Sequence, residues 1–426
     1  MTAKALAERD YFTDPEILVD PYQYFEAMRP QGPICRLEQH DCLLITGFEE
    51  ALEVWRNPKD FSAVNSLAGA AFPLPFVAQG SDISEQLEEN RSKFVGHDLV
   101  VCYDGEHHTK VRSLISRVFT PTRLKANKDF MHDYANELVQ RVVAKGQCEL
   151  VGDVAAPYVT MIIASLLGVP PKDREKFEEL LAAGQDAGSI ENSDQPTDMT
   201  VLHTIGGYMA EYLQDRMQNP TSDMLSELTA SAYPDGSKPD FMELISLATF
   251  LFAAGQDTSA KLLGNAMRYI VDVPGLQEQL RVDRELIPWM IEEVLRLEGS
   301  SKITARLAVR DTKIGDRHIP AGTRVALAIA AVNRDPRRWG EDANEFKLKR
   351  PRIQEHLAFG RGVHTCAGAP LARAEVIEIL NAFFDHTSHI GFSEEKHGKP
   401  GERKYQFEPS FIIRGLDSLY VEFNSK

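Results

Sequence analysis

Apolar positions repeat with helical spacing over most of the chain and alternate only in short stretches. The longest helical pattern opens at Asp240 and Glu243, which stand in capping-box spacing. No charge occurs from residue 244 to 254, so this helix is expected to be buried on nearly every side. The pattern runs on to about Val273 and Pro274, which predicts a helix roughly 50 Å long at 1.5 Å per residue. A second clear pattern follows Cys366: Ala372, Val376, Ile379 and Phe383 recur at steps of four, three and four. Pro370 fits such a helix only in its first turn, where N–H groups lack partners anyway. Shorter helices are predicted over 21–28 and 48–56, from Asp104 or Thr109 as a cap to Pro121, and in a run through 122–235. Loops are read at 170–173 and 188–196, and Gly206-Gly207 interrupts one helix. Strands are read at 33–37 and 42–46 as a hairpin, at 303–309 by alternation, and at 409–416 as a terminal hairpin. Residues 66–98 are apolar but broken by glycine and prolines, a reasonable pocket wall, and then charged over 85–91.

The expected fold is therefore mainly α with a small β portion. One domain is expected over residues 1–426, β-rich mainly at 30–65, 300–330 and 390–426, and helical mainly at 100–300 and 366–385. The 426 residues are ample for a large core that encloses a cavity. A net charge of −16 argues against nucleic acid as a partner. The charged N-terminus offers no signal-peptide core, and no segment has the ~18 uninterrupted apolar residues of a spanning helix. Five scattered cysteines, an odd number, suggest reduced thiols and a cytoplasmic location.

Candidate chemistry concentrates in two places. The first is Phe359-Gly360-Arg361-Gly362-Val363-His364-Thr365-Cys366-Ala367-Gly368. Cys366 would sit just before a helix N-terminus, where orphan N–H groups and the macrodipole favour a thiolate. It can be a nucleophile, a metal ligand or an inert thiol. Zinc would need further ligands, and no second cysteine lies close in sequence. The second place is Ala254-Gly255-Gln256-Asp257-Thr258, in the middle of the long helix. A mid-helix glycine costs about 1 kcal/mol against alanine, and a buried acid and hydroxyl beside it cost more unless satisfied. Local rules broken together point to a functional site. The bland alternative is a kinked core helix whose threonine bonds back to its own carbonyl.

The spacing Phe-Gly-x-Gly-x-His-x-Cys-x-Gly resembles the haem-binding loop of the cytochrome P-450 superfamily, and the 254–258 stretch resembles that family's distal helix. The resemblance implies a haem-thiolate monooxygenase of the bacterial, ferredoxin-dependent type that carries haem b. Cys366 would be the iron ligand, with Phe359, Gly360, Gly368 and Ala254 against the haem. His108, Arg112, Arg306 and His364 would hold the propionates. Thr258 would bind near dioxygen, Asp257 would relay protons, and Gly255 would leave room. Glu293 and Arg296, with Arg350, would lock the proximal loop. Substrate contacts are expected from Phe72, Leu74, Phe76, Phe250, Ile303, Thr304 and Ile412, all for a hydrophobic molecule. The thiolate favours O–O cleavage, and one oxygen atom from O2 would enter a C–H bond. No flavin or dinucleotide fingerprint appears, so electrons are expected from NAD(P)H through a separate ferredoxin reductase and ferredoxin, docked at Arg112, Arg361 and Arg373. A monomer with no membrane partner is expected. Two rivals remain: a peroxide-driven peroxygenase or isomerase on the same scaffold, and a non-catalytic haem sensor or binding protein.

Overall fold

The computed structural model describes residues 2–183 and 200–426. The loop expected at 188–196 lies outside them.

The long uncharged stretch forms one helix, Phe241–Asp272, here α5. Asp240 accepts from Glu243 N at 2.8 Å, half of the expected box. The other half is absent, because Glu243 turns to the Tyr233 hydroxyl instead. Most of the 244–270 positions are buried, as an apolar surface on several faces demands. The helix packs against Ala156–Leu167 (α4), Leu286–Glu298 (α6) and Ala369–His386 (α7), and α7 in turn packs on Lys128–Val143 (α3). The helix Thr200–Gln218 also crosses α5 and is not interrupted at its glycine pair. A Cβ at Gly206 would meet Thr249 and Ile245 at 3.5 and 3.7 Å, so the glycine brings the two helices close.

The β portion lies to one side. Its main sheet runs in the order β1-β2-β8-β5-β3, from Ile34–Leu37, Cys42–Ile45, Arg324–Leu327, Thr304–Ala308 and Phe61–Ser62. The predicted hairpin is β1 and β2, with Ile34 opposite Ile45. All pairings are antiparallel except β2 with β8. Two further pieces are a sheet of β4, β10 and β9 (Gln147–Glu149, Tyr420–Ser425, Thr387–Phe392) and the hairpin β6–β7 (Thr312–Ile314, Arg317–Ile319). The expected terminal hairpin at 409–416 is an arm without a regular ladder; its β-pairing is limited to isolated bridges, Ser301 to Ile413 and Phe407 to Leu416. Phe48–Arg56 (α1) and Gly105–Val118 (α2) complete the frame of the site. Asp104 stands at the N-cap position of α2, but its side chain does not cap. It accepts from Ala63 N, Ser62 and Arg91 instead, so it ties α2 to the sheet. Thr109 lies inside the helix and donates to Gly105 O.

Among the described residues no helix is long and apolar enough to cross a membrane.

Candidate active site

The loop before α7 is shaped by two close approaches. Gly360 and Gly362 take φ of 66° and 76°, where a side chain is strained. A Cβ on Gly362 would stand 2.2 Å from the Trp55 carbonyl of α1. Trp55 thus backs the loop, a partner that its position some 300 residues away in sequence hides. Cys366 N donates to Phe359 O at 2.9 Å, closing the loop on itself. Gly368 is the N-cap of α7 and Pro370 lies in the first turn, as the spacing predicts. Burial pushes the Cys366 thiol up, and the N–H groups of Gly368 and Ala369, with Arg112, pull the other way.

Cys366 opens into a cavity of about 240 Å³ that also takes in Thr258, Ile303, Thr304, Arg306, Phe359, Gly360, His364 and Ile412. Two elements, α5 and β5, and two loops therefore deliver their predicted residues to one space. Larger hollows exist, about 410 Å³ around Phe72 and about 700 Å³ near the N-terminal helices, but neither contains a thiol. The other cysteines, Cys35, Cys42, Cys102 and Cys148, are buried and free. Burial pushes their thiols up to about 11 or 12.

At one edge of the cavity two guanidiniums and two imidazoles gather. The rings of His108 and His364 lie 4.0 Å apart. Arg112 donates to Thr365 O, and Arg306 donates to Ser66 Oγ at 2.9 Å and Ala305 O at 2.6 Å. Burial, then Arg306, His108 and Arg112, drive His364 down to about 2. Burial lowers Arg306 to about 10. Burial and the two guanidiniums keep both imidazoles from protonating, so this edge offers an anionic ligand two fixed positive charges and two further hydrogen-bonding rings. A thiol facing a cavity whose rim carries two arginines and two histidines fits haem b with its two propionates.

The opposite wall is α5. Thr258 donates to Ala254 O at 3.1 Å, the back-bond of the bland alternative, while also lining the cavity. Its own carbonyl accepts from Ser300 Oγ at 2.6 Å, a partner without a local sequence signal. Ala254 is exposed, on open space. Gly255, expected to leave room for oxygen, also packs on a neighbouring helix. A Cβ there would rest on Ile163 of α4 at 3.4 Å, so its smallness serves helix packing. Asp257 pairs with Lys261, whose ammonium also meets Glu408 at 2.9 Å. Burial opposes the Lys261 charge, but the two carboxylates outweigh it and hold it above the ordinary lysine range.

The remaining pocket residues go elsewhere. Phe72 lies in the separate hollow with Phe12, His40, Arg324 and Phe411, because Arg324 draws the Ala70, Ala71 and Phe72 carbonyls onto its guanidinium. Leu74 and Phe76 pack on the small core of Val64, Ile83, Leu87 and Phe94. Phe250 packs on the helical core.

Below the loop, Glu293 is locked as the pattern implies. Arg296 bonds both its oxygens at 2.7 and 2.9 Å, and Arg350 adds a bond at 2.9 Å. All three are essentially buried. Beside them Glu292 takes Arg373 and the buried His356. Arg373, expected as a docking residue, spends its charge on Glu292 and covers the Phe359 ring at 4.6 Å.

The sequence pattern of the family described as Cytochrome P450 matches residues 204–389. The structure is similar to substrate-free cytochrome P450 CYP150A6 of Mycobacterium marinum, with a TM-score of 0.91, 40% identity and 99% of each chain covered. Among curated proteins it is 28% identical to cytochrome P450 monooxygenase PikC of Streptomyces venezuelae, over 96% of this chain and 92% of that one. It is 29% identical to cytochrome P450 144 of Mycobacterium tuberculosis, over 96% and 90%. Thiol, arginine–histidine rim, distal helix and whole-chain likeness agree: the chain belongs to the cytochrome P450 family, and is a haem b-dependent monooxygenase.

Proposed function

We propose that this monooxygenase hydroxylates a C–H bond of a hydrophobic small molecule, using O2 and electrons passed from NAD(P)H through ferredoxin reductase and ferredoxin. The observation that carries this reading is the placement of Cys366 and Thr258 on one cavity with Ile303, Thr304 and Ile412. Haem b, when bound, supplies the redox chemistry, and a thiolate ligand favours O–O cleavage. The protein's residues have four tasks. Cys366 holds the iron. His108, Arg112, Arg306 and His364 hold the propionates and so fix the orientation of the group. Ile303, Ile412 and Leu262 form apolar wall that places substrate and excludes water. Thr258 Oγ1 would accept a hydrogen bond beside the oxygen site, and Asp257, the residue before it, would pass protons inward from solvent.

The back-bond from Thr258 to Ala254 is compatible with this task, since a hydroxyl that donates to its own helix still accepts through two lone pairs. The apolar walls favour a substrate such as a terpenoid, a steroid or an aromatic compound. The test is Cys366→Ser. It is expected to abolish the thiolate-type spectrum of the reduced carbon monoxide complex and with it all turnover in a surrogate ferredoxin system. Parent-like spectrum and product formation in that variant would refute the assignment.

A further inference from the structure

Asp257 and Thr258 are neighbours on α5, so their side chains point about 100° apart around the helix. Thr258 lines the cavity, and Asp257 turns toward the C-terminal arm. There its carboxylate meets Lys261, one helical turn on, and Lys261 also meets Glu408 of the arm at 2.9 Å. Lys261 is buried, an uncommon state for lysine. Its stem crosses Gly415 so closely that a Cβ there would lie 2.3 to 2.5 Å from Cγ, Cδ and Cε. Gly415 O in turn accepts from Glu408 N at 3.1 Å. One side of the arm thus passes the lysine stem and the other receives its ammonium. The same arm carries Ile412 into the cavity, and Arg414 N bonds Ser300 O, whose hydroxyl holds the Thr258 carbonyl.

We infer that Lys261 is a positioning residue for proton delivery: it sets the direction of the Asp257 carboxylate and ties it to Glu408, so that the arm which places Ile412 also orients the relay acid. The inference rests on the reading of Asp257 as that acid. A lone exposed i,i+4 pair would leave the carboxylate free to change rotamer. A buried ammonium shared between two carboxylates and threaded past a glycine does not. Displacement of the arm by a bulky cavity occupant is transmitted to Asp257 through Glu408 and Lys261.

The experiment uses the haem-loaded protein with Lys261→Met, Lys261→Arg, Glu408→Gln, Asp257→Asn and the Asp257→Asn/Glu408→Gln pair. Thermal unfolding gives a readout independent of turnover. Asp257→Asn and Glu408→Gln are expected to be non-additive by about 1 °C, and to become additive in the Lys261→Met background. Hydrogen peroxide released per NADH in a surrogate ferredoxin system is expected to rise about twofold in Glu408→Gln and Lys261→Met, with an unchanged reduced carbon monoxide spectrum. Lys261→Arg is expected to restore most of the loss. Additive melting shifts, or parent-like peroxide yields in these variants while Asp257→Asn raises its own, overturn the inference and leave the relay reading standing. If Asp257→Asn leaves the yield unchanged, the relay reading fails first. Should Lys261→Met not fold, Glu408→Gln, at a site one-third exposed, decides the matter.

Discussion

Glu375 is the buried group that the proposed chemistry does not use. It sits on α7, is 1% exposed, and neither carboxyl oxygen has a hydrogen-bond partner in good geometry. Burial pushes it up to about 8 from an ordinary 4.5, with Ser259 of α5 opposing. The folded protein therefore keeps this proton over a range in which the unfolded chain has lost it. Between about pH 4.5 and 8 the folded state binds more protons, so stability from this residue falls as pH rises and is level outside that window. Glu375→Gln is expected to remove that slope and to gain on the order of a few kcal/mol over the parent near pH 8. Melting temperatures of both proteins across the window check it, and a pH-independent difference between them would show the carboxyl to be ionised throughout. Thr258 gives a contrasting case. Its hydroxyl bonds only to its own helix, at Ala254, and alanine is the better helix former. Thr258→Ala is expected to keep stability within about 1 kcal/mol and full haem content, yet to divert electrons to peroxide. Unaltered coupling of NADH use to product would count against its role.

Among elements, α6 touches the cavity with Leu295 and holds the site chiefly through buried charge. Glu293 and Arg296 at i,i+3 would ordinarily be a surface pair worth a few tenths of a kcal/mol. Here both are buried and Arg350 joins them, while Arg296 also donates to the Asn333, Ala343 and Glu345 carbonyls. Removing one member strands charge in the interior, at a cost of about 3–5 kcal/mol. Arg350→Met is thus expected to lower stability by that amount and to lose haem on purification, measured by urea unfolding and by haem per protein. The neighbouring Glu292 cluster acts the same way one position earlier. Burial works to raise that carboxyl, but Arg373 and His356 hold it down at about 2. Its bond to His356, at the head of the loop, and to Arg373, on α7, ties the two sides of the thiol together.

For the whole molecule, the net charge of −16 sets the electrostatic problem. The acidic electron carrier proposed above would need a locally positive face on an acidic protein. With Arg373 paired to Glu292, Arg361 is the better candidate near the loop; it donates only to Gln354 O. Arg361→Ala is expected to raise the ferredoxin concentration for half-maximal rate about threefold at low ionic strength, with the difference shrinking as salt screens it. A salt-independent effect would mean that Arg361 supports the loop rather than the partner. The rim of His108, Arg112, Arg306 and His364 makes a second demand on the molecule as a whole. The protein bonds the two arginines only through neutral oxygens, and the proposed propionates would add the missing negative charge, so haem removal should lower the melting temperature, and titration back should restore it in proportion to occupancy.

The chain by itself determined the parts that rest on local spacing. The long helix, the helix after Cys366, the first hairpin and the loop that carries the thiol all appear where period, cap and glycine pattern put them. Those features arise from backbone geometry over a few residues, which the sequence states directly. Only the tertiary structure decided which neighbour each side chain meets. Asp104 leaves its helix to bind the sheet, Gly255 faces Ile163, Phe72 follows Arg324 out of the cavity, and Arg373 gives its charge to Glu292. Glu408, Ser300 and Trp55 enter the site from distant segments, and no pattern near them announces it. Contacts between residues far apart in sequence depend on how packed elements cross, and one residue's environment is settled by the whole core at once.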